Sequence, residues 1–307
     1  MLDRMPSPEA CLFVACCAAV VTGIATAVGA WLARGSTAVP AALWAVAGAL
    51  ALAAETGWRA AGGLADPAVA AAARLVAGAL ALCPAMSLLG AKRPQHGVWQ
   101  FIVATLAVVV ALPAVAATLV RPGTVPDVHP LGRWFLLLLA VVGWLNFAAT
   151  RHGLAATLVT AGQLVLVRQF LPLAPSGETA AAAFDAGGAL AVALGAAVAA
   201  CQSACAGVGR SAATGTVARG GHPLASRIDP PFLALRETLG AAWTLRIAER
   251  FDAVAAARGW PCRLRFGGLD PGGQTGDAAW HREAARVFRA LARRFVSDGW
   301  LRRHGWK

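Results

Sequence analysis

Long apolar runs separated by short polar segments dominate residues 10–207 of this sequence. A bilayer core of roughly 30 Å is crossed by about 20 helical residues, and a helix satisfies all its backbone polar groups internally. The runs therefore predict an all-α polytopic membrane bundle of about seven transmembrane helices, with six or eight left open. The predicted spans are residues 10–33, 39–54, 68–89, 98–120, 134–149, 154–173 and 180–207.

The composition supports a membrane protein. Hydrophobic residues make up 58% of the 307 residues and charged residues only 14%, whereas soluble domains carry about 25% charged residues. The mean hydropathy is +0.61. Arg4 before the first run is also typical of a signal peptide, but this run exceeds the usual apolar region of about 7–15 residues. We therefore expect an uncleaved first helix.

The pattern changes after residue 228. Apolar residues recur every three or four positions from Phe232 to Val254, which predicts one amphipathic helix of about seven turns. Asp229 and Pro230 suit its N-cap and first turn, and Gly259 suits its C-cap.

A strand and a second helix follow. Residues 262–266 alternate between apolar residues and arginine, which predicts a short strand. We expect a glycine-rich loop at residues 267–277 and a second amphipathic helix at residues 280–295. This part of the chain is therefore predicted to be a small α+β domain of the helix–strand–helix type. Its strand requires a partner from another chain or an unrecognised segment, or else is only an extended loop.

Charge divides the chain into the same parts. Residues 1–206 form the predicted transmembrane domain with a net charge of +3, whereas residues 207–307 carry +9. Residues 207–228 are predicted to be a linker, and residues 229–307 a basic C-terminal soluble domain. Lys and Arg prefer the cytoplasmic side, although the short loops alone do not decide the orientation. The tail favours a cytoplasmic domain attached to the inner membrane.

Several segments also carry a family resemblance. These segments are residues 82–84, 89–95, 99–103, 134–135, 146, 150–151, 293–297 and 300. Here the chain resembles a family of uncharacterised polytopic membrane proteins of planctomycete-type bacteria, over most of its length after about residue 75. The resemblance implies a membrane architecture and no catalytic residues, because the family has no assigned activity.

Four polar residues within the spans are candidates for an intramembrane site: Arg74, Asp185, Gln163 and Asn146. A charge at mid-membrane costs about 2.5–3.5 kcal/mol on insertion scales, so it usually pairs or faces water. One hypothesis is an Arg74–Asp185 ion pair that lines a solute or proton path. The alternative, which we favour, is a structural pair or two side chains that snorkel to the interface. Gln163 and Asn146 are expected to form hydrogen bonds between helices.

The second predicted tail helix carries an arginine stripe. Its members are Arg282, Arg286, Arg289 and Arg293. One interpretation is a surface that binds anionic lipid headgroups or a protein partner, with Trp280, Phe288 and Phe295 dipping into the interface. The other is the solvated face of a small domain. Nucleic-acid binding is disfavoured because no aromatic–basic module pattern is present.

Catalytic motifs are missing from the sequence. All six histidines lie outside the predicted spans, and GxSxG and Walker A motifs do not occur. We therefore predict no catalytic residue, metal or cofactor. The sequence favours a non-enzymatic membrane anchor or accessory subunit that presents a cytosolic interaction domain. The alternative is a small-solute transporter or channel subunit.

Overall fold

A computed structural model describes residues 7–64, 66–90, 92, 96–172, 181–212, 222–272 and 279–306. Within these ranges the chain forms eleven α-helices and one two-stranded hairpin. Six of the helices are long and apolar enough to cross a membrane, so the chain is a membrane-embedded helical protein.

The first seven helices form the apolar bundle. Their bounds are α1 Pro8–Leu32, α2 Val39–Ala60, α3 Pro67–Leu89, α4 His96–Val115, α5 Pro130–Ala148, α6 Gly153–Leu166 and α7 Ala181–Ala212. A π-helical turn, Ala116–Val120, continues α4. Several starts are encoded locally: the Ser7 and Asp66 side chains accept from backbone N–H groups of α1 and α3, and a proline follows each of them.

Two predicted spans differ from the observed helices. The second run was predicted to end at residue 54, but α2 continues to Ala60 because Glu55 is neutralised inside the protein. The sixth run was predicted to reach residue 173, but α6 ends at Leu166, and a 3₁₀ turn, Arg168–Phe170, follows. At 14 residues, α6 is about 21 Å long, shorter than a full span. Six of the seven predicted spans thus correspond to helices of spanning length, and the count of seven stays a prediction.

Six of the seven helices surround a central space. Each packs against the next in the order α1, α2, α3, α5, α6 and α7, and α7 packs back against α1. α4 lies outside this ring against α3. Small residues permit the close approaches: a Cβ on Gly162 of α6 would lie 2.5 Å from the carbonyl oxygen of Gly188 in α7.

The C-terminal domain has more elements than the sequence predicted. They are α8 Pro223–Leu239, α9 Ala241–Ala257, β1 Arg263–Arg265, β2 Gly268–Asp270, α10 Ala279–Ala292 and α11 Asp298–Arg303. The fully buried side chains of Phe232, Phe251, Phe288 and Trp300 lie in its core. This core explains the apolar periodicity of the tail.

The predicted seven-turn helix is two helices. Gly240, at φ +81°, separates α8 from α9, because this backbone conformation is accessible to glycine and ends a helix. The predicted N-cap at Asp229 is wrong: α8 begins at Pro223, inside the predicted linker, and Asp229 instead accepts from the Leu269 N–H. At its other end the predicted linker begins inside α7, which extends to Ala212.

The strand at Arg263–Arg265 pairs with a segment of the same chain. Leu264 faces Leu269 across an antiparallel hairpin, so β2 lies in the segment that was predicted to be a glycine-rich loop. The sequence left open whether the strand pairs within its chain, and this hairpin supplies the partner. Residues 273–277 of the predicted loop lie outside the described residues.

The C-terminal domain docks on one end of the bundle. Ser36, in the α1–α2 loop, forms an antiparallel bridge with Val296, and the Thr37 N–H donates to the Phe295 carbonyl. The Trp243 Nε1–H donates to the carbonyl of Leu88 at the end of α3, at 2.6 Å. The domain is therefore packed against the membrane bundle.

Candidate functional site

A cavity of about 400 Å³ lies inside the helix ring, at the end that carries the C-terminal domain. All six ring helices contribute to its wall, mostly through small apolar side chains. Representative residues are Ala25 of α1, Ala45 of α2, Ala85 of α3, Gly143 of α5, Ala156 of α6 and Ala199 of α7. Its volume is within the range of about 300–1,000 Å³ that is typical of small-molecule sites.

The C-terminal domain forms the roof of this cavity. Glu237 of α8, Trp300 of α11 and His304 line it beside Arg151 and His152 from the α5–α6 turn. These residues come from elements distant in the sequence, and their arrangement depends on the docking of the domain.

Asn146 of α5 forms hydrogen bonds to the C-terminal domain at the roof of the cavity. Its Nδ2–H donates to the carbonyl of Leu239 at 3.0 Å, and its Oδ1 accepts from the Ala242 N–H at 3.0 Å. One side chain of α5 thus bonds to both sides of the break between α8 and α9. Gly240 is required here as well, because a Cβ at this position would overlap the Asn146 side chain.

Gln163 lies at the floor of the cavity. Its Nε2–H donates to the carbonyl of Ala81 in α3 at 2.8 Å. Gln163, Ala81 and Leu82 also line a second cavity of about 20 Å³, which reaches Arg74. The two spaces therefore meet at one thin layer of side chains.

A charged cluster lies beyond this layer, toward the end of the bundle opposite the C-terminal domain. The Arg74 guanidinium contacts Glu55 of α2 at 2.8 Å and Asp185 of α7 at 3.0 Å. All three residues are at most 4% exposed. Isolated charges at this depth are costly, and each one here has a partner of opposite sign.

Two further arginines complete the charged cluster at its rim. Arg168, after α6, contacts Asp185 at 2.7 Å, and Arg59 of α2 contacts Glu55 at 3.2 Å and Asp185 at 3.1 Å. Both are about a quarter exposed, at 24% and 25% for their side chains. The charged cluster thus links α2, α3, the turn after α6, and α7.

The four intramembrane candidates lie at two levels of the bundle: Asn146 is at the roof of the cavity, whereas Gln163, Arg74 and Asp185 are at and beyond its floor. Arg74 and Asp185 are in contact and buried, so the alternative in which they snorkel is wrong, and Gln163 separates them from the cavity. Glu55, Arg59 and Arg168 were missed as members of the charged cluster. A signal existed for the first two, because Glu55 and Arg59 are four residues apart and share a helix face.

The arginine stripe lies elsewhere, on α10 of the C-terminal domain and in the turn that follows it. All four of its arginines are exposed, and Arg289 and Arg293 contact Asp298 at 2.9 and 3.4 Å. The hydrogen bond from Arg289 lowers the pKa of the Asp298 carboxyl. Phe288 and Phe295 are buried in the domain core, so the expectation that they dip into a membrane interface is wrong. Trp280 is partly buried and packs against the same core.

The described residues contain no group of three or more His, Cys, Asp or Glu side chains that could hold a metal ion. No protein family, curated protein or solved structure matches this chain. The resemblance to a planctomycete-type family stays a prediction.

Proposed function

We propose that this protein is a small-solute transporter of the cytoplasmic membrane, with the cavity inside the helix ring as its solute site. The observation that carries this proposal is the alanine- and glycine-lined space of about 400 Å³, which six helices and the C-terminal domain line together. A bundle that served only as an anchor would have no need to keep such a space at its centre, because close packing stabilises membrane helices.

One end of the bundle contains the cavity and the other end contains the charged cluster, a difference in structure that is compatible with a transporter. The cavity extends from the roof to Gln163, whereas the charged cluster joins four elements at the other end. This arrangement fits a carrier whose site is reached from the side of the C-terminal domain while the far side is closed. The positive charge of the tail favours a cytoplasmic position for that domain.

The arginine stripe supports a second candidate function, the anchor or accessory subunit favoured by the sequence. Its exposed arginines form a surface suited to anionic lipid headgroups or an acidic protein partner. We rank this function second because the domain that would be presented is instead docked on the bundle, where it roofs the cavity.

The proposal is tested by filling the cavity. Ala156 lines the cavity, whereas Ala161 on the same helix is exposed on the outside of the bundle, so Ala161→Phe is a matched control for Ala156→Phe. We expect the wild-type protein and A161F in lipid nanodiscs to bind the apolar fluorophore N-phenyl-1-naphthylamine saturably, in excess of empty nanodiscs. A156F is expected to lose this component.

A second measurement addresses transport. Liposomes are loaded with a quencher, and an apolar fluorophore is added outside, so that uptake is measured as loss of fluorescence. We expect uptake to be faster with the wild-type protein or A161F than with A156F. Equal binding by A156F and A161F would overturn the assignment of the cavity. Cavity-dependent binding without any difference in uptake would show that the protein binds a solute in the membrane but does not transport it.

A further inference from the structure

The cavity has an apolar wall and a charged end. Between Gln163 at its floor and the roof, the ring helices line it mainly with alanine, glycine, leucine and valine. Water in such a space lacks the two to four polar partners that hold buried water, so an apolar chain displaces it readily. Among the described lining residues, the charged side chains are Arg151 and Glu237, and both lie at the roof.

The carboxylate of Glu237 is compensated mainly by Arg236, its neighbour in α8. The Nη2–H and Nε–H groups of Arg236 donate to Glu237 Oε1 at 2.7 and 2.9 Å. The Arg151 guanidinium is more distant, with its Nε 3.7 Å from Glu237 Oε2, which accepts from the Arg151 backbone N–H at 2.9 Å. Because two arginines share one carboxylate, these three side chains carry a surplus of one positive charge.

Arg151 presents this surplus charge at the edge of the cavity. Its Nε–H donates to His152 Nε2 at 3.3 Å, whereas its two terminal nitrogens form no hydrogen bond with the described residues. The side chain is 34% exposed, so a ligand in the cavity can reach these nitrogens. Partial burial lowers the pKa of Arg151 and Arg236 lowers it further, against the attraction of Glu237. The positive charge of Arg151 is therefore incompletely compensated.

His152 orients Arg151 without adding charge. Its side chain is buried, and its Nδ1 lies 2.9 Å from Gln202 Oε1. An amide oxygen only accepts, so Nδ1 carries the hydrogen and Nε2 is the acceptor for Arg151. Burial, reinforced by the positive charge of Arg151, lowers the pKa of His152, so the ring is neutral at neutral pH.

A negatively charged group at this position would pair with Arg151 at an edge of the cavity that water also reaches. Its desolvation would be partial, and hydrogen bonds between ionised groups are roughly twice as strong as neutral ones. A cationic head would meet the surplus positive charge instead. We infer that the cavity takes an anionic amphiphile, with its apolar chain between the ring helices and its carboxylate, phosphate or sulfate head at Arg151. This inference rests on the proposed function and specifies the class of its solute.

Three probes with the same chain and different heads test the inference: n-decanol, decyl sulfate and decyltrimethylammonium. Each is used to displace N-phenyl-1-naphthylamine from the protein in phosphatidylcholine nanodiscs, and the displacement measured with A156F is subtracted to remove partitioning into lipid. With the wild-type protein we expect decyl sulfate to act at about tenfold lower concentration than decyltrimethylammonium, because only the anion pairs with the guanidinium.

Replacing the arginine separates the head group from the chain. We expect Arg151→Gln to raise the concentration of decyl sulfate needed for half displacement about tenfold, and to change that of decanol by less than about twofold. Arg250→Gln is the matched control, because Arg250 is exposed on α9 and does not line the cavity. It removes the same charge and should leave both concentrations at their wild-type values. If R151Q fails to bind the fluorophore, Arg151→Lys keeps the charge and should retain the preference for decyl sulfate over the cation.

Equal displacement by decyl sulfate in R151Q and the wild type, or loss of the preference in R151K, overturns the inference but leaves the cavity as a solute site. Absence of cavity-dependent fluorophore binding overturns the proposed function itself. Native mass spectrometry of the purified protein distinguishes two sources of an anionic amphiphile, a co-purifying acidic membrane lipid and a single-chain acid. Recovery of an uncharged lipid alone counts against the inference.

Discussion

Arg74 is the residue on which the charged cluster depends. Its guanidinium lies between carboxylates from two other helices, and both are more than nine-tenths buried. Removing one member of a buried ion pair leaves the other charge uncompensated and costs about 3–5 kcal/mol, far more than loss of an exposed pair.

We expect Asp185→Asn to destabilise the protein by about 3 kcal/mol or more, because Asp185 has ion-pair contacts with three arginines. Asp127→Asn is the matched control: Asp127 has a 93% exposed side chain 3.6 Å from Arg133, and its loss should cost less than about 1 kcal/mol. Unfolding in mixed micelles measures both. Equal stability of the two variants would show that the charged cluster contributes nothing to stability.

His152 gives the roof a pH dependence. Because its pKa is lowered in the folded protein, the unfolded chain binds more protons below about pH 6.5, and stability falls as pH decreases. We expect this decrease to be smaller in His152→Gln when unfolding is followed between pH 7.5 and 5. A profile of H152Q identical to that of the wild type would contradict the expectation.

At the scale of elements, the contact between α6 and α7 depends on glycine. A methyl group on Gly162 would meet the backbone of Gly188, whereas one on Gly187, a neighbour on the same α7 turn, would meet nothing within 4 Å. Backbone atoms have no rotamer through which to yield, so the helices would have to separate.

We expect Gly162→Ala to destabilise the bundle by about 1–3 kcal/mol through overpacking. Gly187→Ala should be neutral or stabilising by up to about 1 kcal/mol, since alanine favours the helix. Unfolding in mixed micelles and the fluorophore-binding assay measure the effects. Tolerance of alanine at position 162 would indicate that the two helices are less closely packed than the structure shows.

The sequence was informative about elements where one local pattern decides the structure. Apolar length predicted the long helices, and the three-to-four periodicity predicted the tail helices. It was wrong where a tertiary partner overrides the pattern: Glu55 resembled the end of a span because its partner Arg74 is 19 residues away, on another helix. β2 has only three residues, and Gly240 interrupts an apolar periodicity that continues on both sides.

The candidate site was less predictable than the fold. Arg74, Asp185 and Gln163 could be singled out because polar residues are rare in apolar runs. The cavity could not be predicted from the sequence, because alanines that line a space and alanines that pack against one another have the same sequence pattern. Its roof combines Asn146, Glu237 and Trp300, which only the docked domain brings together.

At the scale of the whole molecule, the charged cluster closes the end of the bundle opposite the cavity. The small cavity at Arg74 and the large one beneath the roof are separated by Gln163, Ala81 and Leu82. Weakening the charged cluster should therefore open the protein on the far side, while the roof remains in place.

We expect a single cysteine at Ala77, which lines the small cavity and is 2% exposed, to resist a membrane-impermeant maleimide in a background without the seven native cysteines. In combination with Glu55→Gln, the same cysteine should react from the far side. A cysteine in place of Asp127, in the far-side loop, is the positive control and should react fully in both backgrounds. Continued resistance of the Ala77 cysteine in E55Q would show that the charged cluster does not control access.

The bridge between Ser36 and Val296 has a consequence for how the protein is made. Nearby, the Arg303 guanidinium donates to the Arg34 carbonyl across 269 residues of sequence. At synthesis rates of about 5–20 residues per second, the C-terminal segment that packs on the loop between the first two helices is made on the order of 13–54 s after that loop. During that interval the loop is uncovered, so a chaperone or protease can distinguish nascent or truncated chains from finished ones.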